Sequence, residues 1–201
     1  MNKIIIISTP RAGTQRVHSA FGHAKIDSGW EQDGGDVTAS LFLSVDADLD
    51  DFAFHQRHKP YWDRHVDEIW HQTRDPLYCI PALAAVTPAA IWAWQNRYTG
   101  LDPRAFRSRA EFCASFWVAW NEICEQRQPV WQYRVEEFEQ HWPEMWKRLD
   151  AGEAPPLDDR SVSLDRQTRQ PMTYDEIRSW GPTIHDKVRR LAERYGYEVT
   201  E

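Results

Sequence analysis

The chain is poor in cysteine and methionine, with three of each, and it has no excess of positive charge, carrying 24 Lys and Arg against 31 Asp and Glu. Cys79, Cys113 and Cys124 form no CxxC pair. An odd thiol count in a chain without a secretory leader points to reduced cysteines in the cytoplasm, most simply small buried hydrophobes. A net charge of −7 and a pI near 5.6 argue against a general polyanion binder, since counterion release on nucleic acid needs a basic face. The opening apolar run, Ile4–Ile7, is far too short for a leader or a spanning helix, so neither nucleic acid nor membrane is expected as a partner. No GxSxG elbow for hydrolase chemistry is found. His55 and His58 are three apart but have no third ligand at a convincing spacing, so no metal is expected.

What is present describes a globular protein. Of 201 residues, 41% are hydrophobic and 27% charged, at a mean hydropathy of −0.70. That length fits one domain, 1–201, with a real core. Eleven tryptophans are far more than such a chain ordinarily carries. Most are packing residues; Trp62, Trp92 and Trp94 are candidates for lining an acceptor pocket, because flat aromatic faces suit sugars and aromatic rings.

The β-branched run Lys3–Ser8, closed by Thr9, Pro10 and Gly13, reads as a buried parallel strand, and Thr14–Phe21 as the helix after it. A strand feeding a Gly-containing turn and a helix opens a doubly wound α/β fold, with ligands at the carboxyl ends of the strands. A short strand is expected at Gly22–Ile26, a turn at Gly34-Gly35, a helix over Val37–Val45 and a strand over Glu68–Arg74 that yields at Pro76 to another helix. Thr87-Pro88 opens a helix toward Tyr98, stopped by Gly100. Ser108 and Glu111 have capping-box spacing ahead of the stripe Phe112, Phe116, Ala119, Trp120 and Ile123. Val130–Val135 reads as a strand, Phe138–Leu149 as a helix, and the polar stretch at about 150–172 as a long loop of the kind used for lids and binding loops. Thr173 and Glu176 repeat the capping-box spacing for a last helix carrying Ile184, Val188, Leu191, Ala192 and Tyr195 and closed by Gly196.

The chemistry concentrates in Ser8-Thr9-Pro10-Arg11-Ala12-Gly13-Thr14-Gln15. Small residues and hydroxyls stand there where a strand meets a helix N-terminus, and unsatisfied amides with the positive end of the helix dipole favour a phosphate or sulfate. Gly13 permits close backbone approach, Thr14 adds a hydroxyl and Arg11 a guanidinium fork. The triphosphatase pattern GxxxxGK[ST] needs Gly at Ser8, Lys at Thr14 and Ser or Thr at Gln15, and has none of them. ATP or GTP hydrolysis therefore lacks its usual stabilisers.

Thr9-Pro10-Arg11-Ala12-Gly13-Thr14 resembles the 5′-phosphosulfate loop of sulfotransferases, and His71-Gln72-Thr73-Arg74-Asp75-Pro76-Leu77 is similar to the second motif of that family. Gly22-His23, the stretch Tyr133–Phe138 and the closing helix before Gly196-Tyr197 also fit small single-domain bacterial members. The resemblance implies an α/β, P-loop-like three-layer fold with a small parallel central sheet flanked by helices. It implies a cytoplasmic enzyme that moves a sulfuryl group from 3′-phosphoadenosine 5′-phosphosulfate, its co-substrate, to a hydroxyl or amine of a small-molecule or carbohydrate acceptor, without a metal. By the same resemblance Arg11, Ala12, Gly13, Thr14 and Gln15 hold the 5′ end, Arg74 the 3′-phosphate, and Arg160, Arg166 and Arg169 are candidates for a closing basic loop. Arg11 and His23 are the expected catalytic residues, His23 as the base, since imidazole is the side chain best suited to proton transfer near neutral pH.

Three departures mark the chain off from that pattern. Ala82 stands eight positions after Arg74 where the family commonly has a serine, a lost hydroxyl worth about 1 to 2 kcal/mol if nothing replaces it. Ala24 stands where related members carry a glutamate after Gly-His, and the glycine-and-lysine signature of the late loop is missing. A non-catalytic nucleotide-binding module of the same fold therefore stays open, as does a nucleotide or small-molecule kinase. His71 is either a satisfied core histidine or an active-site donor, and the three late arginines are either ligands or solvated surface.

Overall fold

The computed structural model describes residues 1–31, 35–45, 66–86, 97–157 and 170–199. It contains strands β1 Ile4–Ser8, β2 Ser28–Trp30, β3 Val37–Ala39, β4 Glu68–Thr73 and β5 Trp131–Arg134. Its helices are α1 Thr14–His23, α2 Pro76–Val86, α3 Arg109–Gln126, α4 Phe138–Leu149, α5 Tyr174–Arg178 and α6 Pro182–Arg194. The strands form an all-parallel sheet in the order β2-β3-β1-β4-β5, flanked by helices, which is the α/β three-layer architecture expected from the sequence. The chain divides into two compact units, Met1–Thr73 with Ile123–Arg166 and Arg74–Glu122 with Gln167–Glu201.

The first unit holds the sheet. β1 is central because all of Ile4–Ile7 is fully buried, and only a strand covered on both faces accepts an unbroken apolar run. Ile4 and Ile6 belong to one apolar cluster with Val17 and Phe21 of α1 and Phe138, Trp142 and Met145 of α4. The Phe21 and Trp142 rings lie 5.0 Å apart there. Register fixes the edges: Ile4 is opposite Val37 and Glu68, and Ser8 is opposite Gln72, so β1 and β4 end side by side.

Around β2 and β3 the structure corrects the sequence reading. Gly22 and His23 extend α1 rather than starting a strand, and β2 begins at Ser28. The segment expected as a helix over Val37–Val45 is instead the strand β3 followed by a single 3-10 turn at Phe42–Ser44, because Val37, Thr38 and Ala39 pair with both β1 and β2. A sheet position overrides local helical spacing.

In the second unit, α3 starts as its capping residues require: Ser108 Oγ accepts from the Glu111 amide at 3.1 Å, although the Glu111 carboxylate reaches the Arg107 amide rather than that of Ser108. Thr173 and Glu176 form the complete reciprocal box. The helix they open ends at Arg178. Gly181, at φ 131°, and Pro182 in the first turn of α6 split the expected last helix in two. Most of the segment expected as a helix from Thr87 to Tyr98 lies outside the described residues. No described helix is long and apolar enough to cross a membrane.

Candidate functional site

The strand order places the switch of direction at β1. The chain leaves β1 through α1 for β2 and β3 on one side, then returns to β4 and β5 on the other. In open parallel sheets the crevice for ligands lies beyond the carboxyl ends of the strands at such a switch. Two segments issue from that place, the Thr9–Gly13 turn after β1 and the chain after Thr73.

The turn is tightly wound. The Ala12 amide donates to the Thr9 carbonyl at 3.2 Å, Arg11 has φ 66° and Gly13 has φ 95° with ψ 21°. Positive φ on either side of Ala12 is the kind of turn from which concave anion nests are built, although the Ala12 amide is itself given to Thr9. Gly13 takes that conformation without cost, whereas Arg11 does not. Lys25, Glu31, Gln128 and Asp150 share that sign of φ, and Arg11 is the one of them that lies in the turn after β1. Gly13 caps α1 with no side-chain hydrogen bond, the Arg16 amide turns back onto the Gly13 carbonyl at 3.0 Å, and the helix start presents the positive end of its dipole.

Thr9, Ala12 and Thr14 are buried, while Arg11 and Gln15 are exposed. Thr14 Oγ1 accepts the Trp30 indole N–H at 3.1 Å. With that lone pair taken, the threonine hydroxyl proton is directed to another acceptor. Arg16, in the first turn of α1, is 8% exposed and anchored: its guanidinium donates to the Val135 carbonyl at 3.1 Å and to Glu139 at 3.3 Å, and lies over the Phe138 ring. Burial lowers its pKa, and Glu139 and Glu136 act against that shift, so it stays a fixed positive charge behind the loop.

Sequence reasoning missed two residues beneath the turn. Gln72, fully buried on β4, donates from Nε2 to the Ala12 carbonyl at 2.6 Å and accepts from the Tyr133 hydroxyl at 2.6 Å. Burial raises the Tyr133 pKa well above that of an ordinary phenol, which keeps its proton in place to donate. The available signal was a glutamine inside a strand whose last four residues are all buried, because a buried amide requires partners. Glu31 was missed as well. It follows β2 at φ 52°, and its carboxylate accepts from Ser40 Oγ at 2.7 Å and from the Leu41 amide at 3.3 Å. Since Trp30 is opposite Ala39, Glu31 stands at the carboxyl edge.

The structure brings Arg11, Ala12, Gly13, Thr14 and Gln15 together as one turn and helix start. It does not bring His23 to them. α1 returns from the carboxyl edge to the amino edge of the sheet, and His23 is its exposed last residue, about 14 Å along the axis at 1.5 Å per residue. The histidine nearer the loop is His18, one turn after Thr14, whose Nδ1 lies 3.1 Å from Ser28 Oγ. His71 is fully buried in β4, opposite Ile7. Arg74 follows Thr73 as the first residue of the second unit and is half-buried. Ala24 caps α1 and Ala82 lies within α2. Trp62, Trp92, Trp94, His55, His58, Arg160, Arg166 and Arg169 lie outside the described residues.

All three thiols are buried, and burial pushes Cys113 and Cys124 up to about 12, so neither is a nucleophile near neutral pH. Compared with known proteins, the chain matches no family model, no curated protein sequence and no solved structure.

Proposed function

We propose that the protein transfers a sulfuryl group from 3′-phosphoadenosine 5′-phosphosulfate to a hydroxyl or amine acceptor. The observation that carries the reading is the turn at residues 9–14, in which Arg11 and Gly13 have positive φ, which stands at the sheet's switch point ahead of α1 and has Thr14 where a triphosphatase has its lysine. The bound nucleotide supplies an activated sulfur on a good leaving group. The nest amides and Arg11 receive the 5′-phosphate and stabilise the charge it gains. Thr14 adds a hydroxyl donor. Arg74, at the β4 end, serves the 3′-phosphate.

On the β2 side of the nest, Glu31 takes the role first expected of His23. It accepts the acceptor's proton as the acceptor oxygen bonds to sulfur and the bond from sulfur to the bridging oxygen breaks, its electrons leaving onto the 5′-phosphate. Trp30, 40% exposed beside Thr14, offers a flat face to the acceptor.

Calorimetric titration with adenosine 3′,5′-bisphosphate, adenosine 5′-monophosphate and ATP tests the reading. Tight binding of the bisphosphate and a preference over the monophosphate that Arg74→Ala removes are expected. ATP binding tighter than the bisphosphate would overturn the assignment in favour of a kinase. Bisphosphate binding with no sulfated product detectable by mass spectrometry over a broad acceptor screen would make the chain a non-catalytic module.

A further inference from the structure

We infer that Gln72 and Tyr133 are positioning residues that latch one peptide of the loop in its anion-binding orientation; this rests on the reading of the loop proposed above. A trans peptide is planar, with its C=O and N–H pointing in opposite directions. The Gln72 amide holds the Ala12 carbonyl inward at 2.6 Å, so the N–H of the same peptide, that of Gly13, points away from the sheet into the nest.

Without the latch this peptide has little to fix it. A peptide flip changes ψ of Ala12 and φ of Gly13, and glycine accommodates either sign of φ. The flipped peptide would aim a carbonyl at the anion and withdraw a donor, turning an attractive site into a repulsive one.

Tyr133 completes the device by supplying the donor that the other end of the Gln72 amide needs in this orientation. A carbonyl only accepts, so the glutamine atom facing Ala12 must be Nε2, which leaves Oε1 for the tyrosine hydroxyl. Were the amide reversed, two oxygens would meet at the loop. The β4–β5 register places Gln72 opposite Tyr133 and so delivers the hydroxyl to the amide. The latch thus runs from β5 through β4 to the loop after β1.

The test uses sulfate as the probe, because it stays dianionic across the pH range of interest. Gln72→Met keeps the length of the side chain but removes the donor. It is expected to weaken sulfate binding about tenfold and to abolish the sulfate-induced shift of the Gly13 amide resonance, leaving that of Gln15 in place. Gln72→Glu restores a donor when protonated, so its sulfate affinity relative to the unaltered protein should recover about tenfold between pH 8.5 and pH 5.5, with the Gly13 shift returning in parallel. Recovery of affinity without the Gly13 shift would reveal simple charge repulsion and overturn the latch. So would Gln72→Met binding sulfate as well as the unaltered protein. An unaltered protein that shifts neither Gly13 nor Gln15 with sulfate would instead overturn the loop assignment and the latch with it.

Discussion

Replacing Arg11 by glycine should give a more stable protein than replacing it by alanine, and both variants should be poorer anion binders. Arg11 has φ 66°, where a β-carbon costs about 1 to 2 kcal/mol against the neighbouring carbonyl. Glycine removes that penalty but gives back about 0.4 to 1 kcal/mol through the greater freedom of the unfolded chain. The balance is a gain of roughly 0.5 to 1 kcal/mol, or about 1 to 4 °C in Tm for a protein of this size. Arg11→Ala is the control, since it loses the same guanidinium contacts and keeps the β-carbon. Loss of the guanidinium removes a charge-assisted hydrogen bond worth about 1.5 to 3 kcal/mol, so both variants should bind adenosine 3′,5′-bisphosphate roughly ten- to hundredfold more weakly. Thermal melts of the two variants and calorimetry with the bisphosphate read both effects. Should the glycine variant melt below the alanine variant, the left-handed backbone at Arg11 stores no strain. Should either bind as tightly as the unaltered protein, the guanidinium has no part in the site.

Three other variants probe the neighbouring groups. Glu31→Gln, which keeps the shape of the side chain while removing its basicity, should lower the turnover of sulfated product by at least about a hundredfold with bisphosphate affinity unchanged; His23→Ala should leave turnover intact, and the opposite pattern would restore the histidine as base. Burial lowers the His18 pKa below its ordinary value near 6.5, against a smaller opposing effect of Ser28. The unfolded chain therefore takes up its proton first as pH falls through that range, and stability must decline there until the folded-state pKa is passed. Urea midpoints should show a smaller loss between pH 7.5 and pH 5 for His18→Gln than for the unaltered protein, and equal slopes would remove His18 from the account.

The fold was legible where the sequence left one physical solution. Ile4–Ile7 has no polar alternation and is too short for a buried helix, so a central parallel strand was the consistent reading, and the turn residues after it named the loop. The short strands were not legible. β2 and β3 have three residues each, too few to display a period, and they exist because β1 offers Val37–Ala39 a pairing edge and β3 offers another to Ser28–Trp30. Val37, Leu41 and Val45 have helical spacing that this pairing defeats. The break at Gly181-Pro182 was legible in principle, since both residues oppose a continuous helix, but the capping signal at Thr173 and the stripe at Ile184–Tyr195 each suited a single one.

The site divides along the same line. Residues contiguous in sequence, Arg11 to Gln15, were grouped because one turn carries them, and contiguity is the only geometry a sequence states directly. Proximity in sequence misled at His23, where ten residues of helix carry the side chain to the opposite edge of the sheet. Gln72 and Tyr133 are 61 residues apart and meet only through the β4–β5 register, so neither could be paired with the loop beforehand. What remains is a question of charge. On the proposed reading the loop meets an anion with the Arg11 guanidinium, neutral amides and the Thr14 hydroxyl proton, and it has no lysine at Thr14. A triphosphate tail concentrates more negative charge than one guanidinium and a helix end can match. A phosphosulfate spreads a lower charge, and its transferring group carries only one negative charge, so the donor proposed above asks less positive charge of this turn than a triphosphate would.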